Sequence, residues 1–531
     1  MSLRIKLLLV VSLTILMSFS SLVAFSGDEP KQGGTLDVAV SYGNIHTLDP
    51  HLSTGVTPGQ AIEQIFDGLV AIESGSLDLV PEVAKNWIVS QDGKTYWFKL
   101  RKNVKFHNGE ELTASDFKFS VERLGDPDLA SPQLSRINLL KGSQAYKEGE
   151  ADEITGVTVI DDYTLRIDLS EFSPAFLYDL AQINIVPEDV VKEMGEDFAN
   201  NPVGSGPFKF ESWRRDSIIK LSAFEDYYAG RPYLDNLNFK IMLEAGARQA
   251  AFDSKGIDFM LANGTMYEKY REMPESKVKL LTCAELFTRN MILNFDYEPL
   301  SHRKVRQAIN YAIDNKALID NILRGKAVPA VGWLPTTMPV PDEDLEGYPY
   351  NPEKAKELMK EAGYEDGFSL EIMASEGGGG AYGLRVVEAI MPFLREIGID
   401  AEMIVRDFGT ASDLVGQGKF QARMYSNGGE VSPFKYLEIY FNSERERYAG
   451  NSWGYDNPEV DALLGKARTT TDFDERMEII AEAHKLVTRD APSWFYNYNK
   501  AVAVVQPWVK GLVANPRDNA FHDYDNAWLD K

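Results

Sequence analysis

The stretch SEGGGGAYG (375–383) sets Gly378, Gly380 and Gly383 in the spacing G-x-G-x-x-G. A strand-like run at 368–374 precedes it and a helix-like run at 384–397 follows. This is the outline of a dinucleotide-binding turn, in which backbone N–H groups and a helix N-terminus receive a pyrophosphate. That chemistry also needs a ribose-binding acid at the far end of the next strand. There Ile399, Ala401, Met403 and Val405 alternate inward, Asp400 and Glu402 point outward, and only Asp407 stands near the right place, late in spacing. A lone glycine fingerprint is weak, and no cofactor is expected.

Other reactive side chains are similarly placed without completing a site. His46, Asp49 and His51 could ligate a metal, but no HExxH motif or paired cysteines support one, and no metal is expected. VGSGP lacks the last glycine of a nucleophile elbow. Cys283 sits in a strand-like run and reads as packing. With 80 acidic residues, carboxylate pairs at glycosidase spacing can be drawn anywhere and decide nothing. The cluster His302, Arg303, Lys304 and Arg306 opens a helix whose default partner is solvent. No catalytic residue is expected, although a secreted glycoside hydrolase is the rival class.

The elements that would position these groups are legible from period and capping. In YWFKL, Tyr96, Phe98 and Leu100 alternate with Trp97 and Lys99, and Asn108-Gly109 marks a turn. Thr113 with Asp116 predicts a capping box, and ITGVTVIDDYTLRIDL predicts two strands meeting at Asp161-Asp162. Asn351-Pro352 and Asn457-Pro458 predict capped helix starts, with Gly363 closing the first helix. Asp472 with Glu475 predicts another helix, whose stripe carries Phe473, Met477, Ile480, His484 and Val487, and His484 there reads as a hydrogen-bonded core or edge residue. PSWFYNYN reads as a buried strand.

Arg4 and Lys6 precede an apolar run that ends at Ala24-Phe25-Ser26, the pattern of a cleaved signal peptide over 1–26. No cysteine near that point suggests a lipid anchor. Cleavage removes two basic residues, so the net charge of −25 becomes more negative still, which disfavours nucleic acid and anionic lipid as partners. One cysteine excludes an internal disulfide, and plentiful aromatics indicate packed cores in more than one domain. No internal repeat or low-complexity linker separates such domains, so interleaving is expected.

Seven segments in order carry a resemblance: LDPHLSTGV; LVPEVAKNWIVSQDGKTYWFKLRKNVKFHNGEELTASDFKFSVERL; NPVGSGPFKFESW; GRPYLDNLNFKI; PLSHRKVRQAINYAIDNKALIDNILRGKAVPA; YNPEKAKELMKEAGY; and DAPSWFYNYNKAVAVVQPWVKGL. Together they resemble the extracellular solute-binding proteins of family 5, the dipeptide and oligopeptide receptors of ABC importers. The resemblance implies an α/β, periplasmic-binding-protein-like (type II, flytrap) fold with two lobes and an extra inserted domain. Lobe I would comprise 27–65, 186–285 and 495–531, the extra domain 66–185, and lobe II 286–494. It further implies a periplasmic, monomeric receptor that passes a peptide or peptide-like solute to the importer's membrane subunits. An oligosaccharide is the alternative solute.

Residues carried over from the peptide receptors as ligand contacts are Val56 and Asn263 in the first lobe, with Phe408, Arg423, Tyr425 and Asn427 in the second. Peptide receptors place an aspartate, which pairs with the peptide's α-ammonium, four residues before the proline of the segment QARMYSNGGEVSP. Here Gly429 occupies that place and Glu430 is adjacent, so either the anchor is absent or Glu430 replaces it after a one-residue shift. If it is absent, a sugar becomes attractive, with Trp494 and Tyr496 as ring faces beside Phe495, Tyr498, Trp333 and Trp453; the competing reading buries these rings in the core.

Overall fold

The computed structural model describes residues 29–41, 45–376, 380–445, 450–517 and 522–531. The expected signal peptide and Gly378 of the glycine motif lie outside them. The architecture is α/β, and one 11-stranded sheet organises it. Strand order across the sheet is Ile399–Asp407, Phe368–Glu376, Ala422–Gly428, Lys279–Leu293, Ser493–Val505, Phe259–Leu261, Thr35–Val40, Asn236–Ile241, Ile218–Ala223, Phe208–Arg214, with Ala327–Pro329 pairing to Ser493–Val505. Each side has a parallel part: Thr35–Val40 runs parallel to Asn236–Ile241 and Phe259–Leu261, and Phe368–Glu376 runs parallel to Ile399–Asp407 and Ala422–Gly428.

Lys279–Leu293 and Ser493–Val505 join the two sides. They are 15 and 13 residues long, enough at about 3.3 Å per residue to serve two half-sheets in turn. One end of the pair lies beside Phe259–Leu261 and the other beside Ala422–Gly428. Between these ends the antiparallel register breaks: Ala284 faces Lys500, but Thr288 faces Tyr498. The extra residues on one strand form a bulge, which bends and twists the ladder where it passes from one half to the other.

The 84–168 region builds its own four-stranded antiparallel sheet, in the order Ala84–Val89, Thr95–Leu100, Thr164–Asp168, Val157–Asp161. Tyr96, Phe98 and Leu100 face inward while Trp97 and Lys99 are exposed, as the alternation requires. Helix Ala114–Gly125 covers this sheet and starts at the Thr113–Asp116 capping box. Its Arg123 reaches back to Asp49, with Nη1 to Oδ1 at 2.9 Å and Nη2 to Oδ2 at 2.5 Å. His51 donates from Nε2 to Asn184 O at 3.0 Å, and its Nδ1 accepts from Arg123 Nη1 at 3.0 Å. Burial, then the Arg123 charge, lowers its pKa to about 4. Asp49 and His51 therefore tie the covering helix to the first strand's loop, while His46 is exposed.

In the other half, Asn351, Asn457 and Asp472 cap helices Pro352–Glu361, Pro458–Thr469 and Phe473–Asp490. Helix Gly380–Glu396 continues through Pro392. Asp407 caps helix Phe408–Gly416 by accepting from Thr410 N, which gives that acid a local structural task. His484 is buried; its Nδ1 lies 2.7 Å from Asp342 Oδ2 and its Nε2 accepts from Leu334 N at 3.0 Å. It is a hydrogen-bonded core residue, as its place on the apolar stripe implied.

A buried acid sits where the first helix meets the antiparallel domain. Asp67 Oδ2 accepts from Ser205 Oγ at 2.9 Å, and Oδ1 from the Tyr227 hydroxyl at 3.3 Å. Burial pushes its carboxyl up to about 7, and raises Glu82 too, with the Asp67 charge as the second cause there. Such a carboxyl holds its proton in the folded chain where the unfolded chain has lost it. Its stabilising contribution is complete below about pH 4 and is lost as pH climbs to 7. Asp67→Asn should therefore reduce the loss of thermal stability across that window; melting curves with the same pH slope in both proteins would contradict this.

Candidate functional site

Strand Ala422–Gly428 carries three of the expected contacts on one face, because Arg423, Tyr425 and Asn427 alternate with Met424 and Ser426. Helix Phe408–Gly416 places Phe408 above them. The Arg423 guanidinium lies 5.7 Å from the ring centroids of both Phe408 and Tyr425. Arg423 is only 3% exposed, whereas Phe408 is 62% exposed. Two long hydrogen bonds hold the guanidinium: Nη1 to Ala411 O at 3.3 Å and Nη2 to Ser412 Oγ at 3.4 Å. Its Nε has no acceptor, and among the described residues no carboxylate pairs with it. Burial lowers its pKa. A guanidinium held between rings without a counter-ion is an anion-seeking group, since an uncompensated buried charge costs several kcal/mol.

Asn427 belongs to a different arrangement. Its Oδ1 accepts from Thr288 Oγ1 at 2.9 Å and Asn290 Nδ2 at 2.9 Å, and its Nδ2 donates to the Tyr436 hydroxyl at 2.8 Å. All four residues are buried, so the amide is spent inside the chain. This network locks Ala422–Gly428 to Lys279–Leu293 just past the register break. Beside it, a Cβ on Gly428 would stand 2.5 Å from Leu286 O, so only glycine fits.

Gly429 has φ +82°, a left-handed backbone that strains a branched or acidic replacement. Glu430 Oε1 accepts from Ser432 N at 3.2 Å, and Oε2 lies 3.2 Å from Lys435 Nζ. Lys435 also reaches Asp179 Oδ1 at 3.0 Å, across 256 residues of sequence. Neither Lys435 nor Asp179 was singled out by the sequence; the first is a lysine in a helix's opening turn, and the second becomes a neighbour only through the fold.

Val56 and Asn263 lie on the opposite half, where Val56 opens helix Val56–Ile65 and Asn263 caps helix Gly264–Tyr270 by accepting from Met266 N at 2.9 Å. The aromatic expectation needs correction. Trp494 and Tyr496 are fully buried and stack at 4.7 Å, with Trp494 Nε1 donating to Asn315 Oδ1 at 2.9 Å. Both faces of their strand are covered, so neither ring is open at the surface in this structure. Trp333 and Trp453 are also buried, 5.4 Å apart. The cations of the 302–306 cluster border a surface cavity of about 630 Å³, but they too are occupied: His302 lies beside Glu298, Arg303 beside Asp490 and Lys304 beside Glu361, while Arg306 donates to backbone carbonyls.

Two groups of strands, each with a parallel part, are joined by one pair of long strands, and this frame sets Phe408, Arg423 and Tyr425 on one side of the pair and Val56 and Asn263 on the other. Residues 78–448 match the bacterial extracellular solute-binding proteins, family 5 Middle, and the chain belongs to that family. It is 31% identical over 483 residues to heme-binding protein A of Haemophilus influenzae, covering 87% of this chain and 86% of that one. It is 30% identical over 532 residues to the dipeptide-binding protein of Escherichia coli, covering 96% and 97%. Among solved structures, HbpA2 from Haemophilus parasuis superposes with a TM-score of 0.85 at 25% identity, covering 94% of this chain and 100% of that one. The fold is thus the expected type II periplasmic-binding-protein architecture.

Asn427→Ala would remove one hydrogen bond each from Thr288, Asn290 and Tyr436, which keep their contacts with one another and with Leu286 O, at about 0.5–1.5 kcal/mol per bond lost. The expected result is a clear drop in melting temperature with the purified protein still folded at 25 °C. A variant that melts like wild type would mean the network carries no stability.

Proposed function

We propose that this chain is the capture component of an ABC importer, working outside the cytoplasm, and that its solute is a peptide or peptide-like molecule bearing a carboxylate. The observation that carries the solute class is Arg423, a nearly buried guanidinium with no carboxylate partner among the described residues, set between Phe408 and Tyr425. A solute carboxylate would supply the missing counter-charge, and Phe408 offers an exposed apolar face beside it. The name of the dipeptide-binding relative supports the same class.

In this reading 27–65, 186–285 and 495–531 form lobe I, 286–494 forms lobe II, and 66–185 is the extra domain. Val56 and Asn263 face the solute from lobe I, chiefly through backbone. The protein fluctuates about the break between Ala284 and Thr288. Solute that touches both lobes favours the closed form, and the closed monomer docks on the membrane subunits. Binding and release need no bond-breaking step, so the reading assigns no catalytic residue. Cleavage of 1–26 would free the chain from the membrane, and among the described residues no helix is long and apolar enough to cross one. An oligosaccharide is less favoured, because four of the rings that would have faced a sugar, Trp333, Trp453, Trp494 and Tyr496, are buried.

Native mass spectrometry of the protein as purified should reveal a carried solute with a free carboxylate. Arg423→Met should weaken that solute by roughly 10- to 100-fold in calorimetry, the weight of one charge-assisted hydrogen bond of about 1.5–3 kcal/mol. A neutral solute, or unchanged affinity in the variant, would refute the assignment.

A further inference from the structure

The loop ending at Ser432 runs straight into helix Pro433–Phe441, and Ser432 caps that helix by accepting from the Lys435 backbone N–H at 3.4 Å. The first helical turn therefore projects the Lys435 side chain back over the loop that holds Gly429 and Glu430. There its ammonium meets two carboxylates, Glu430 at 3.2 Å and Asp179 at 3.0 Å. The second Glu430 oxygen is already taken by Ser432 N. Beneath the three charges lies a packed apolar floor in which Tyr178, next to Asp179, shares a core with Val431 and Phe434. The triad is not sealed, for the side chains of Lys435, Glu430 and Asp179 remain 36%, 20% and 20% exposed. A molecule entering beside this loop would meet an acidic pair whose cation is already in place.

We propose that Lys435 determines which amino ends the solute can have: its tethered ammonium fills the place at Glu430 and Asp179 that a free amino group would need, so the receptor takes solutes whose amino end is blocked or absent. This deepens the peptide reading and rests on it. A second cation within hydrogen-bond range of Glu430 would sit against Lys435, and like charges at that separation repel. The occupant is also five residues from Glu430 in the same chain, so it competes without the translational entropy that a free solute loses. Gly429 offers no substitute, because it has no side chain and its φ of +82° disfavours one. Burial raises the pKa of Glu430, and the Lys435 charge is the largest influence opposing that rise.

The test competes a mixed-sequence tripeptide library with free amino termini against the same library N-acetylated, read by native mass spectrometry and calorimetry. For the wild-type protein, acetylation should not weaken binding. Lys435→Met should shift the preference tenfold or more toward free amino termini, and adding Glu430→Gln to that variant should remove the gain. A wild-type preference of threefold or more for free amines overturns the proposal while leaving peptide capture intact, and this comparison stands even if Lys435→Met fails to fold. If neither library binds and the protein carries a non-peptide solute, the peptide reading falls and takes this inference with it.

Discussion

Everything in this molecule depends on the two strands Lys279–Leu293 and Ser493–Val505 staying paired while their ladder changes register. Before the break the pairing is regular, Lys279 to Ala284 against Val505 to Lys500; past it Thr288 faces Tyr498 and Arg289 faces Asn497, and a second shift follows before Asn290 faces Phe495. A continuous ladder would hold both half-sheets as one rigid slab. A complete interruption would leave unpaired backbone groups in a strand that is buried over most of its length. The bulge lies between these extremes. It keeps the two strands paired and confines the irregular backbone to the stretch between Ala284 and Asn290.

What surrounds the break holds it in place. Leu286 N donates to Pro516 O, so the C-terminal segment braces the irregular residues. The Thr288–Asn290–Asn427–Tyr436 network fixes the next strand in the half that bears Arg423. Buried polar networks of this kind are costly when partly satisfied and rigid when satisfied. Asn427 was expected at the solute because the resemblance to the peptide receptors carries it over together with Arg423 and Tyr425. It does share their face, but the residues opposite it use up its amide before a solute could. Period-2 reasoning identifies the face and says nothing about what already covers it.

The same boundary separates what the sequence made legible from what it did not. The Thr113–Asp116 box, the Tyr96–Phe98–Leu100 alternation and the Asn351 and Asn457 caps are local, decided within a few residues by backbone donors and side-chain period, and all stand in the structure. Trp494 and Tyr496 could be read either way, since rings that stack in a core and rings that receive a sugar have the same composition. Burial on both faces of a central strand decides it. The Asp179–Lys435 contact joins residues 256 positions apart. No local pattern encodes such a pair, which is why Glu430 looked free to serve as an anchor.

The charges at Arg423 and Lys435 gain meaning against the rest of the chain. Acidic residues outnumber basic ones by 25, so a typical surface position here is negative. Beside the loop 429–432 and at Arg423, however, the structure places cations: Lys435 bridging an acidic pair, and Arg423 without an acid among the described residues. Long-range repulsion from the acidic body would slow an anionic solute's approach, yet beyond about 8–10 Å it is screened at physiological salt. Close to Arg423 the balance reverses, because desolvation by Phe408 and Tyr425 strengthens a direct guanidinium–carboxylate contact. A solute shifts the open–closed equilibrium only through contacts that differ between the two states. Arg423 sits wholly on one half and would bind a carboxylate in both. If Arg423 receives a carboxylate as proposed, any drive to closure would have to come from what the other half adds, for which Val56 and Asn263 are the proposed contacts.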